Sequence, residues 1–153
     1  MLTRRHLLTA APAVLAAPLL LRSRPALAMS PETYAEGGVA IDGSDTVAYF
    51  AGNGSVAGSA EHAVSWNGAE WRFASAENRA AFEANPETYA PQYGGYCAYA
   101  ASLGYVAPTS PEAWTLWDGK LYLNANLRAR ELWLQDVPGN VAKGDANWPG
   151  ILA

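Results

Sequence analysis

One cysteine is present in the chain, Cys97, within the run Gly94-Gly95-Tyr96-Cys97-Ala98-Tyr99. A lone thiol cannot close an internal disulfide. Its chemistry therefore reduces to three cases: a small buried hydrophobe, a soft-metal ligand or a redox nucleophile. The paired glycines ahead of it let backbone amides approach closely, and the start of a short helix favours the thiolate. A thiolate is a soft donor suited to Cu(I).

Other side chains could complete such a site. His62 is the natural nitrogen ligand by chemistry, although a lone histidine in a strand-leading stretch is ordinarily a surface residue. Asp45 either bonds its own backbone in a turn or orients a neighbouring donor. Tyr49, Tyr93, Tyr96, Tyr99 and Tyr122 surround the same segments. A phenol beside a thiolate can donate a hydrogen bond to it, and Tyr96 adjoins Cys97; the others read as core aromatics. Other chemistries lack their residues. The chain has no Cys-x-x-Cys pair, haem-attachment motif, phosphate-binding glycine loop or His-Glu-x-x-His run.

The N-terminus sets the expected compartment. Thr3-Arg4-Arg5-His6-Leu7-Leu8 resembles a twin-arginine export signal. An apolar stretch from Leu7 to Leu21 follows, broken by Pro12 and Pro18 and ending in Arg22, Arg24 and the cleavage-like Ala26-Leu27-Ala28. The run is short for a membrane span, and its prolines oppose an anchor helix. The expectation is a signal over 1–28, a flexible lead-in over 29–38 and one domain over 39–153, delivered to the periplasm without membrane insertion. Met29 would then offer an N-terminal amine and a thioether.

Cleavage there would remove Arg4, Arg5, Arg22 and Arg24, leaving 6 Lys and Arg against 14 Asp and Glu. The mature charge becomes −8 rather than −4. Such a surface repels phosphate backbones and anionic lipids, which excludes nucleic acid as an expected partner. His6 leaves as well, so His62 is the one remaining imidazole and a three-histidine zinc site cannot form in one chain.

The elements that would position these residues are short. Thr46–Phe50 has strand composition and is closed by Gly52-Asn53-Gly54. Ala63–Trp66, Asn67-Gly68 and Glu70–Phe73 form the clearest hairpin, because Asn-Gly supplies the two positive-φ turn positions. Ser75 caps a helix over 76–84, and Asn85-Pro86 opens another. Tyr96 to Ser102 reads as a short helix ended by Gly104. A second hairpin turns at Asp118-Gly119, and 127–135 has helical spacing with Leu127, Trp133 and Leu134 inward. Trp148-Pro149 is expected to pin the tail. Strands and helices segregate, which gives an α+β class with a small antiparallel sheet packed against short helices.

Several segments also carry a family resemblance. Gly43 to Phe50, the run Trp71 to Asn78 with Phe82, Asn85-Pro86 and Tyr89, and Pro91 to Ala98 resemble the exported bacterial branch of the YHS-domain family. Asp118 to Asn124, Trp133 and Trp148-Pro149 continue the likeness across nearly all of the mature chain. The resemblance implies a small α+β module associated with heavy-metal handling. It also implies a reactive role for Cys97, since some relatives carry selenocysteine there. Many metal-linked members have further cysteines near the position of Phe73-Ala74-Ser75, and this chain has none. Three functions stay open: soft-metal binding through Cys97 with copper as the metal, a thiol-dependent oxidoreductase, and a non-catalytic partner-binding module with a buried cysteine. A homodimer could bring two Cys97 thiolates onto one Cu(I).

Overall fold

Two turns with left-handed backbone organise the strands. Asn67 and Gly68 take φ values of 47° and 79° and join β3 (Ser59–Trp66) to β4 (Ala69–Phe73), with Trp66 opposite Ala69. Asp118 and Gly119, at 50° and 72°, join β5 (Ser110–Trp117) to β6 (Lys120–Asn124) in the same way. Paired positive φ angles match the twist of a tight hairpin, so both turns follow from local residue chemistry. The protein, a computed structural model, is described for residues 28–153. The expected twin-arginine segment and the apolar run after it lie outside the described residues. No helix among those described is long and apolar enough to cross a membrane.

Two short strands, β1 (Ala35–Glu36) and β2 (Val39–Ala40), extend the first hairpin into a sheet of order β1-β2-β4-β3. The β2–β4 contact is parallel, pairing Val39 with Glu70, while the remaining pairings are antiparallel. β5 and β6 form a separate two-stranded sheet. The class is α+β, as the segregated pattern predicts.

The expected strand over Thr46–Phe50 is instead a helix, α1. Its β-branched and aromatic composition is overridden by Asp45, whose Oδ1 accepts from the Val47 and Ala48 amides at 2.9 and 3.2 Å. That is an N-cap, and it satisfies backbone donors that a strand would have sent to a neighbour. Thr46, Val47, Ala48 and Tyr49 are then all buried.

α2 (Ala76–Ala84) starts on Ser75, whose Oγ accepts from the Asn78 amide at 3.2 Å. α3 (Pro86–Tyr89) carries proline in its first turn, but Asn85 makes no side-chain cap there. α4 (Ala98–Leu103) ends on Gly104 at φ 93°. α5 (Leu127–Leu134) is capped by Asn126, which accepts from the Ala129 amide at 2.8 Å. Of its expected inward residues only Trp133 is buried. Leu127 and Leu134 are 64% and 41% exposed, because the indole claims the inward side and rotates the two leucines outward. α6 (Val137–Asn147) accounts for the tail, and its Asn147 side-chain Nδ2 donates to the Ala101 carbonyl of α4 at 2.8 Å.

Two aromatic clusters form the core, and β6 separates them. Leu121 and Leu123 face a cluster built on Tyr49, Trp71, Phe73 and Phe82. Tyr122, on the opposite face, joins Tyr93, Ala98, Ala101, Trp133 and Val141. Alternation along the strand therefore sends Asn124 to the same side as Tyr122, toward α4. Truncating an indole or benzyl group in such a core costs about 3–5 kcal/mol.

Candidate functional site

Cys97 is the N-cap of α4 and is only 2% exposed. Its own N–H donates to the Ala107 carbonyl at 3.0 Å. The sulfur accepts from the Ala125 amide at 3.2 Å and, at 3.5 Å, from the Ala100 amide. Its S–H faces Asn124 Oδ1 at 3.5 Å. Two backbone donors therefore converge on one sulfur. Ala125, whose amide reaches the sulfur, is half-buried.

Asn124 escaped the sequence reading. It is fully buried at the end of β6, and its Oδ1 accepts the Tyr99 amide at 2.9 Å as well as facing the thiol. Its Nδ2 finds no partner among the described residues. The one signal for it was a polar residue at an inward position of an apolar strand, after Leu121-Tyr122-Leu123.

The segment before Cys97 takes left-handed backbone at three successive residues, of which Tyr93 alone is not glycine. Tyr93, Gly94 and Gly95 have φ of 56°, 61° and 86°. Tyr93 holds its place through its hydroxyl, which donates to Asp145 Oδ1 at 2.9 Å on α6. Burial, then the bonded Asp145 carboxylate, raises the Tyr93 phenol far above its ordinary range. The close approach that the glycines allow is to the lead-in: a Cβ on Gly94 would collide with the Glu32 carbonyl. No amide of this pair serves the thiol.

That lead-in, expected to be loose over 29–38, is bonded at several points. Ser30 N–H donates to the Leu152 carbonyl and Tyr34 N–H to the Gly94 carbonyl, both at 2.8 Å. The Tyr96 hydroxyl donates to the Pro31 carbonyl at 2.8 Å, and Thr33 is buried. Tyr96 thus points its phenol at the lead-in rather than at Cys97, and burial raises its pKa. Met29 is exposed at 67%.

Asp45 belongs to a different network. Besides capping α1, its Oδ2 accepts the Ala74 amide at 2.9 Å and the Asn78 side-chain amide at 2.8 Å. Its four bonds go to α1 and the β4–α2 corner, and none to the partners of Cys97. Tyr49 donates its hydroxyl to the Pro111 carbonyl at 2.8 Å, and burial pushes its pKa up to about 12. His62 is half-buried on β3 in the four-stranded sheet, on a different element from the sulfur's hydrogen-bond partners. The sequence candidates therefore divide between two networks, with Cys97 in one and Asp45 in the other.

Among the described residues no group of three or more His, Cys, Asp or Glu side chains is gathered to hold a metal ion. What the described residues supply at Cys97 is a single thiol, and one ligand does not make a closed metal site. One buried sulfur bonded by two amides fits a packed thiol, a metal ligand and a nucleophile alike. No family model matches the chain, and neither a curated protein nor a solved structure matches it.

Proposed function

We propose that this is an exported protein of the YHS type that handles a soft metal, Cu(I), as cargo through the Cys97 thiolate. The observation that carries this reading is the convergence of the Ala100 and Ala125 amides on the Cys97 sulfur. N–H donors at sulfur stabilise a thiolate, and a metal-bound thiolate keeps lone pairs to accept them. With one ligand per chain, the second donor comes from outside, either a small thiol or Cys97 of a second copy. Single-ligand capture favours transfer over storage, because the ion exchanges readily to a better site. The sulfur is buried, with Cys97 2% exposed, so uptake is expected to be slower than at an open thiol.

Anaerobic titration of the reduced protein with Cu(I) against a chromogenic competitor, beside Cys97→Ser, tests this. Stoichiometric binding lost in the variant supports it, and one ion per two chains assigns a dimer-bridged ion. Equal behaviour of the two proteins refutes the copper reading.

A second reading, a peroxide-reactive thiol, is favoured by the unpartnered Asn124 Nδ2 on the side chain that faces the sulfur. The thiolate would attack one peroxide oxygen and the O–O bond would break with loss of hydroxide; the sulfenic acid formed would condense with one external thiol to a mixed disulfide with loss of water, and a second external thiol would displace the Cys97 thiol as it forms the external disulfide. Trapping of a sulfenic acid at Cys97 by a carbon nucleophile tests that reading separately.

A further inference from the structure

Asn124 carries a donor that no described residue of the reduced protein accepts from. Its Oδ1 takes the Tyr99 amide at 2.9 Å while facing the Cys97 S–H at 3.5 Å. The Tyr99 bond fixes which end of the side-chain amide is oxygen. The other end, Nδ2, has no partner among the described residues, and Asn124 is fully buried. A buried N–H without an acceptor is destabilising, so a state of the site that supplies an acceptor is favoured. Nδ2 is borne on the same carbon as Oδ1, so an oxygen added to the sulfur on that side comes within its reach. We infer that Cys97 is a peroxide-set modification site at which Asn124 Nδ2 holds the sulfenic acid and makes it persist. Resting on the peroxide-reactive reading of the thiol, this goes beyond it: the site records peroxide rather than turning it over.

Two further features favour persistence. The chain has one cysteine, so no second thiol of the same chain can condense with the sulfenic acid. Cys97 is buried, and the neighbouring Tyr96 directs its phenol to the Pro31 carbonyl and not to the sulfur. Hydrogen peroxide is little larger than water, whereas an alkyl hydroperoxide or an external thiol needs the surrounding chain to open first. Access therefore selects the oxidant by size and slows the return to thiol. In the step itself the S–H proton leaves to solvent and the thiolate attacks one oxygen of hydrogen peroxide. The S–O bond forms, the O–O bond breaks, and the departing hydroxide takes up a proton as water. Sulfur is oxidised by two electrons and the peroxide is reduced by two. The new oxygen is an acceptor for Nδ2, which the thiol did not provide.

The test treats the reduced protein with hydrogen peroxide and, separately, with cumene hydroperoxide. Mass spectrometry follows the gain of one oxygen at Cys97, and NMR follows the Asn124 side-chain amide. Hydrogen peroxide is expected to add the oxygen about tenfold faster than the bulky oxidant, and the Asn124 amide hydrogens are expected to shift and to exchange more slowly afterwards. Asn124→Asp keeps the acceptor for Tyr99 and removes the donor. It is expected to shorten the lifetime of the sulfenic acid toward glutathione about tenfold. The NMR readout is made on the parent protein, so it decides even where the variant does not fold. No oxygen gained with either oxidant defeats the peroxide reading and this inference together. Oxygen gained with the Asn124 amide unmoved, or with an unchanged lifetime in a folded variant, overturns the inference and leaves that reading standing. Equal rates for the two oxidants overturn it as well, since they show an open sulfur.

Discussion

The Oδ1 of Asn124 lies 2.9 Å from the Tyr99 amide and 3.5 Å from the Cys97 sulfur. One buried side chain thus holds both the first turn of α4 and the thiol at its cap. Replacing it tests what the thiol owes to it. Asn124→Ala leaves the Tyr99 amide without its partner and is expected to cost about 2 kcal/mol. It also removes the acceptor facing the S–H and leaves a cavity beside the sulfur, so alkylation by iodoacetamide is expected to quicken severalfold. Asn124→Asp keeps the acceptor for Tyr99 but puts a negative charge beside the sulfur. It is expected to slow alkylation at neutral pH, because like charge disfavours the thiolate. The alkylation rates of the two variants, each compared with the parent, check this; a change in the same direction for both defeats it.

Asp45 joins α1 to the β4–α2 corner through four accepted hydrogen bonds. An asparagine there keeps one oxygen but points an N–H₂ group at donors on the other side. Asp45→Asn is expected to lose about 2–4 kcal/mol of stability, since bonds to a charged acceptor are stronger than neutral ones and two become donor-to-donor. Denaturant melts of Asp45→Asn and Asn78→Ala measure this, with the second losing less because it removes one bond only.

These two residues also show why the sequence was legible in some places and not in others. Asn67-Gly68 and Asp118-Gly119 were readable because positive φ is a local demand that those residue pairs meet. The same holds for the Ser75 cap and for Gly104. α1 was misread because its five residues have strand composition, and the carboxylate that caps it is fixed by Ala74 and Asn78, about 30 residues away. In α5 the leucine spacing suggested one inward face, but the larger Trp133 took the core and left Leu127 and Leu134 outside. The thiol stood out as the single cysteine. Its neighbour Asn124 did not, because an asparagine at a strand end reads as a turn residue. The lead-in looked polar and loose because its anchors, Gly94 and Tyr96, lie some 60 residues further on.

Gly94→Ala probes that anchoring directly. The position has φ of 61°, and an added Cβ would strike the Glu32 carbonyl backbone, which cannot move without the strand it leads into. The strain and the collision are expected to cost about 2 kcal/mol or more and to release the lead-in from the turn. Limited proteolysis should then cut near 30–36 in the variant but not in the parent. Hydrogen exchange at the Tyr34 amide should quicken in step. Parent-like protection at Tyr34 would show that the lead-in is held without Gly94.

Alkaline stability follows from three buried phenols. Burial is the leading cause of the shift in each: Tyr49 and Tyr122 are pushed up to about 12 and Tyr93 is raised further. The folded protein keeps these hydroxyls protonated where the unfolded chain ionises at the ordinary value of 10.0. Below pH 10 their stabilising effect is fully present. Between about pH 10 and 12 the unfolded state binds fewer protons than the folded one, so stability falls as pH rises. Near-UV phenolate absorbance and far-UV circular dichroism, followed on one alkaline titration, should change together for the buried groups. Tyr49→Phe is expected to lose about 1 kcal/mol at neutral pH with its bond to Pro111, and to show a shallower alkaline decline. Phenolate signals that complete while the dichroism stays intact would count against this account.

Thr46 offers the reverse experiment, a substitution expected to do no harm. Its hydroxyl is buried without a hydrogen-bond partner among the described residues, at the first position of α1 beside the Asp45 cap. An unpaired buried hydroxyl costs roughly 1–3 kcal/mol, whereas its Cγ methyl packs in the core. Thr46→Val keeps the β-branch and exchanges the hydroxyl for a methyl of similar size. It is expected to leave stability unchanged or raise it by about 1 kcal/mol. Thr46→Ser keeps the hydroxyl and removes the methyl, and is expected to lose about 1 kcal/mol. The two variants separate the contributions because each removes one of the two groups on the same carbon. If Val proves the more damaging in thermal melts, the hydroxyl has a partner outside the polypeptide, and the α1 N-terminus becomes a place to look for one.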